Sequence, residues 1–146
     1  MAKQAKKRPS RQAGQTAEAA NKTLRSYAVG AMPIVNHLLR RLNLEAILER
    51  HLPAEDDRMK VPTAAGVLLL VRNVLMSREP IYGVADWAYG FSPDLLDLSE
   101  KQLAAINDDR LGRSLDAFFS QRHSILASIA LHVSQEFGVP LSEIHY

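Results

Sequence analysis

VPTAAGVLLLVRNVLMS, from Val61 to Ser77, is the stretch on which the fold turns. Pro62 beside Thr63 is a helix-start signal. From Ala64 to Val71 no side chain is polar, so about two helical turns are apolar on every side. A helix of that kind lies in a core or in a membrane. A span needs roughly 20 apolar residues, and Arg72-Asn73 interrupts this run well short of that. The reading is a core helix. Burying three or four of Val67, Leu68, Leu69, Leu70, Val71, Val74 and Leu75 would contribute about 1.5–3 kcal/mol each. Gly66 marks a close helix crossing. Arg72 and Asn73 must reach solvent or a paired acceptor, because unpaired burial is costly.

Moving toward the N-terminus, Ala54–Lys60 (AEDDRMK) reads as a charged loop. Its three successive acids, Glu55, Asp56 and Asp57, do not face one centre and make a poor metal site. Before it, Leu44, Ile47, Leu48 and Leu52 share one face of a short helix that Pro53 stops. His51 has no ligand partner at helical spacing and reads as a surface histidine. Gly30 and Pro33 open an earlier helix with Ile34, Val35, Leu38, Leu39 and Leu42 inside and Asn36, His37, Arg40 and Arg41 outside; Asn43 ends it. Thr23–Val29 alternates loosely, as a short strand or an extended lead-in.

On the C-terminal side, Ser77-Arg78-Glu79-Pro80 breaks the core helix and Ile81–Tyr89 restarts one. Ile81, Val84, Ala85 and Ala88 are expected inside, with Trp87 as an edge anchor. The pair has the outline of a helix-turn-helix, with Asp86 an unwelcome charge on a recognition helix. Ser92-Pro93 starts a short piece that packs Leu95 and Leu96. Ser99 with Gln102 forms a capping box, and Asn107-Asp108-Asp109 starts the next helix. Its inner face is expected to be Leu111, Leu115, Phe118 and Phe119, with an Asp109–Arg113 pair outside. Ser120-Gln121-Arg122 reads as a joint before a last helix through Ile125, Ile129, Leu131 and Val133 to Gly138. His123 and His132 fall on different faces and form no site.

The 146 residues allow one domain and a tail. Their 47% hydrophobic and 23% charged content is that of a soluble globular protein. There is no cysteine, which excludes disulfides and thiolate metal sites. No apolar stretch follows the basic N-terminus as a secretory signal would require. Residues 1–30 carry seven basic groups (Lys3, Lys6, Lys7, Arg8, Arg11, Lys22, Arg25) against Glu18, a net +6, and the remainder is −4. A basic arm on a mildly acidic body points to an anionic partner; the alternative is a solubilising tail. The expected organisation is all-α. A disordered basic tail (1–22) precedes a helical domain of about six to seven helices (23–138), and a short extended end (139–146) follows.

The motifs VGAMPIVNHLLRRLNL, VLLLVRNVLMSREPIYGVADWA and INDDRLGRSLDAFF, followed by LSEIHY, resemble in order and spacing the amino-terminal domain of bacterial insertion-sequence transposases of the DDE class. That domain is usually catalogued as one of unknown function. The resemblance covers Leu24 to Tyr146. It implies a helical domain that precedes a ribonuclease-H-like fold, whose three acids hold two metal ions. Ile144-His145-Tyr146 resembles the first strand of that fold, with the first catalytic aspartate expected just beyond it. No catalytic acid is therefore carried over to any position here; Asp108 and Asp109 belong to a helix start. Divalent metal is expected only for the absent catalytic domain, and no cofactor for this one.

The expected function is a truncated transposase, a DNA-binding and assembly module in the cytoplasm without catalysis. Its DNA contacts would come from Lys3, Lys6, Lys7, Arg8, Arg11, Lys22 and Arg25. Arg72, Arg78, Arg110 and Arg113 of the body, with Arg40 and Arg41, are additional candidates; each is otherwise an ordinary surface or salt-bridged arginine. The alternatives are a protein-interaction module that pairs with itself or that oligomerises with or inhibits full-length transposase, and a non-functional remnant of a decayed element. An independent enzyme is disfavoured, since the chain has no nucleophile–base pair, no phosphate-cradling glycine loop and no metal-ligand spacing.

Overall fold

A computed structural model describes residues 25–53 and 60–140. The protein is all-α: α1 (Met32–Arg41), α2 (Leu44–His51), α3 (Thr63–Met76), α4 (Val84–Tyr89), α5 (Glu100–Leu103) and α6 (Asp108–Phe137), with 3-10 turns at Ile81–Gly83 and Pro93–Leu96. The expectations for the tail 1–22, for residues 54–59 of the charged loop and for 141–146 lie outside the described residues. Residues 25–29 are a lead-in, not a strand. They make one isolated parallel bridge, Ala28 with Phe91, in which the Ala28 N–H donates to the Gly90 carbonyl at 2.8 Å.

Why α3 is apolar all round becomes clear from its surroundings. Two hydrophobic clusters flank it. Leu69 belongs to one, with Met32, Val84, Ala88, Phe91, Leu96, Leu103 and Leu111. Ala64, Val67 and Leu68 belong to the other, with Val35, Leu39, Ile47, Leu48, Leu52 and Ile125. A helix sandwiched in this way has no side left for polar residues. The C-terminal turn escapes the sandwich, and Val74 and Leu75 are exposed.

Gly66 stands where α3 crosses α6. A Cβ there would come 2.3 Å from Ser114 Oγ and 3.0 Å from Ser114 Cβ, so the two backbones approach too closely for any side chain. Overpacking of this kind costs about 1–3 kcal/mol. Gly66→Ala is therefore expected to lower the urea midpoint by a corresponding amount, and Ser114→Gly in the same chain to recover much of the loss. A Gly66→Ala protein as stable as the parent would show that the crossing is loose.

The short helices end where their caps say they should. Ser99 Oγ accepts from the Gln102 N–H at 3.2 Å while Gln102 Oε1 accepts from the Ser99 N–H at 2.8 Å. Asn107 Oδ1 accepts from the Arg110 N–H at 2.9 Å, and Gly138, at φ +64°, closes α6 in the left-handed conformation. Trp87 meets Phe91 edge-on at 5.2 Å.

Four expectations are corrected. Ser120-Gln121-Arg122 is no joint: α6 runs unbroken for 30 residues, because none of the three is a strong enough breaker without glycine or proline. The buried line of α6 follows Leu111, Ser114 and Ile125, so Leu115, Phe119 and Leu131 are exposed. In α1 the buried line is Met32, Val35, Asn36 and Leu39, leaving Ile34 and Leu38 outside. The segment after α3 opens as a 3-10 turn with Ile81 exposed, and α4 proper is six residues long. Its basic residues number none and Asp86 is exposed, a poor surface for a DNA groove.

Candidate functional site

The polar centre of the fold is Arg72, the arginine that interrupts the apolar run. Its side chain is 3% exposed, so every donor must be matched. Nε donates to Asn36 Oδ1 at 2.8 Å, Nη1 to the Leu96 carbonyl at 3.1 Å, and Nη2 to the Asp97 carboxylate. Asn36 in turn donates to the Leu95 carbonyl at 2.7 Å, which explains why α1 turns a polar residue inward. Asp97 sits at φ 53°, a left-handed position that aims its carboxylate back at Arg72 and lets Arg40 pair with it at 3.2 Å. Burial draws the Arg72 guanidinium below its ordinary range, and Asp97 opposes that pull. The clamp joins α1, α3 and the Pro93–Leu96 turn. It lines a groove of about 300 Å³ together with Asn43, Glu45 and Glu49.

Asn73, next to it, fastens the chain break. Its Nδ2 donates to the Glu79 carbonyl at 2.8 Å and its Oδ1 accepts from the Glu79 N–H at 3.0 Å. Arg78 is carried round this turn at φ 62°. Among the described residues no buried side-chain nitrogen or oxygen lacks a partner.

Among the described residues, the candidate DNA arginines are paired or spread over several elements, and the two that do meet, Arg40 and Arg72, meet on Asp97. Arg72 is withdrawn from the set, since a fully engaged buried guanidinium cannot meet a phosphate. Arg113 is exposed and pairs with Asp109 at 2.8 Å. Arg110 lies one turn earlier on α6, and Arg78 stands beyond the end of α3. Arg40 is shared with Asp97, and Arg41 pairs with Glu136 at 3.2 Å while lying 4.2 Å over the Phe137 ring. Arg25 is exposed at the base of the arm, and the hydrogen bond its guanidinium donates to the Tyr27 hydroxyl oxygen holds its charge more firmly than usual. Lys3, Lys6, Lys7, Arg8, Arg11 and Lys22 lie outside the described residues.

Two of the histidines are fasteners. His51 Nε2 is 2.8 Å from Ser128 Oγ, and His132 Nε2 donates to the Arg41 carbonyl at 3.0 Å, so both tie the far half of α6 to α1 and α2. Among the described residues no group of three His, Asp or Glu side chains is placed to hold a metal ion, and no helix is long and apolar enough to cross a membrane.

Sequence reasoning missed Asn36 and Asp97. One signal was available. An arginine inside an otherwise apolar core helix requires an acid elsewhere in the chain, though spacing alone does not say which. It also missed the exposed side of α6. There Leu115 and Phe119 stand open, with the Arg122 guanidinium 4.1 Å over the Phe119 ring.

No curated protein and no solved structure matches the chain. A family model, that of the domain of unknown function DUF4277, matches residues 24–131, from the lead-in through most of α6, and the chain belongs to that family.

Proposed function

We propose that the chain is the amino-terminal, non-catalytic module of an insertion-sequence transposase of the DDE class, holding DNA through its basic arm and assembling through its helical body. The separation of charge carries this reading: residues 1–30 are net +6 and the rest −4. Four of the body's arginines, Arg40, Arg41, Arg72 and Arg113, are already paired with Asp97, Glu136 and Asp109. The four motifs in transposase order support the family part of it. Such a module works in the cytoplasm and binds no cofactor itself; divalent metal belongs to the catalytic domain.

Phosphate contact from an arm is indifferent to sequence and steeply dependent on salt, with a slope of about −0.9 per phosphate neutralised. Six of the arm's seven cations lie in residues 1–22. Gel-shift titration at several salt concentrations should show the full chain binding duplex DNA, with affinity falling at least ~10-fold on deletion of residues 1–22 and the salt slope flattening by up to about five units. Unchanged binding after the deletion would overturn the assignment to the arm.

A second reading, a protein-interaction module with no DNA role, is favoured by the exposed apolar side of α6. A full chain that binds no DNA at low salt yet self-associates would select it.

A further inference from the structure

Leu115, Phe119 and Leu126 are 48%, 61% and 41% exposed. At 3.6 residues per turn they fall within about 40° of one another on α6, well round from the Leu111–Ser114–Ile125 face that meets the core. Gly112, on the same line, has nothing within 4 Å of where a Cβ would stand, so it is an open notch. Asp116 and His123, both exposed, stand two turns apart on one flank of this line. The Ile81–Gly83 turn also packs against α6, and its Ile81 and Tyr82 are exposed. Large apolar side chains left open along one helix line mark an interaction site.

We propose that this face pairs with the same face of a second copy of the chain, the two α6 helices antiparallel with their two-fold axis beside Phe119. The face is self-complementary in that register. Phe119 stacks on the second copy's Phe119, and Leu126 enters the second copy's Gly112 notch. The Asp116 carboxylate accepts from the second copy's His123 imidazole N–H, and symmetry makes that contact twice. A parallel pair would instead set like residues at one height and leave Asp116 about 10 Å along the axis from the second copy's His123, so neither acid–imidazole contact would form. Antiparallel packing moves the two Arg122 residues about 9 Å apart along the axis. The helix line alone is narrower than a standard interface of about 1,200–2,000 Å². Ile81 and Tyr82 widen it, and the result is a small, reversible contact.

The pairing deepens the assembly part of the proposed function and rests on it, but its test contains no DNA, so its failure leaves the arm's role standing. The chain has no cysteine, so single introduced thiols report cleanly. In the full chain, Phe119→Cys should give a disulfide-linked dimer on mild oxidation. Leu126→Cys, about 20 Å from its mate in this register, should cross-link at least ten-fold less, while a mixture of Leu126→Cys and Gly112→Cys chains should join. Leu131→Cys, exposed but off the line, is the control. Light scattering should show dimer for the parent and a dissociation constant raised at least ten-fold by Phe119→Glu, a change at an exposed site that leaves the core untouched. A chain that stays monomeric at millimolar concentration would overturn the proposal and give the face to a different protein. Equal cross-linking of Leu126→Cys and Phe119→Cys would overturn the antiparallel register.

Discussion

Arg72→Ala is expected to lower the unfolding free energy by about 3–5 kcal/mol, toward the lower end of that range, read as a shift in urea or thermal midpoint. Removing the guanidinium leaves the Asn36 amide oxygen and the Leu96 carbonyl without their donor in a dry site. Each such orphan costs about 1–3 kcal/mol. Asp97 loses its main partner too, but its side chain is 37% exposed and can rehydrate, which is why the lower end applies. Arg72→Lys should rescue little, because one ammonium cannot reproduce a fork that serves three acceptors in different directions. Asp97→Ala tests the same clamp from the other side, leaving a buried cation with neutral partners only. A loss below about 1 kcal/mol for Arg72→Ala would mean the clamp is replaceable by water.

Ile125→Ala should be nearly as damaging, at about 2–5 kcal/mol. Ile125 is the fully buried α6 residue of the cluster formed by α1, α2 and the near side of α3, with Ala117, Phe118 and Ile129 packed against it. The truncation opens a cavity among side chains already fixed by their own helices, which limits collapse. The change also asks whether the far half of α6 belongs to the same cooperative unit as the near half. One sharp transition with reduced stability is the expected outcome. Two transitions would mean that the half beyond residue 120 unfolds alone.

The parts of this fold written in local chemistry were legible. The core helix was found from its unbroken apolar run, its close crossing from Gly66, and its two polar residues from the rule that they need partners. The capping box at Ser99, the start at Asn107, the stop at Gly138 and the Asp109–Arg113 pair were equally readable, because each is settled within a few residues. Two kinds of feature were not. Which face of an amphipathic helix turns inward depends on what it meets. Ile34 and Leu38 lost to Asn36 because Arg72 needed an acceptor from α1, and Leu115 and Phe119 lost to Ser114 because only a small residue fits against Gly66. The partners of Arg72 come from segments far apart in the chain, and nothing near residue 97 announces that Asp97 serves it. Of the candidate DNA residues, sequence separated arm from body, but it could not see that the body's most central arginine is sealed inside.

The membership of Ile125 in the α1–α2 cluster also bears on how the protein is made. Val35, Leu39, Ile47 and Leu48 leave the ribosome early, and the helix that completes their cover is translated more than seventy residues later. Until then these helices lean on α3 and, for α1, on the Pro93–Leu96 turn. At about 5–20 residues per second that wait lasts several seconds or more, during which an apolar face stands partly open in a crowded cell. Chains slowed or halted before residue 125 should therefore be the ones that chaperones hold and proteases find first.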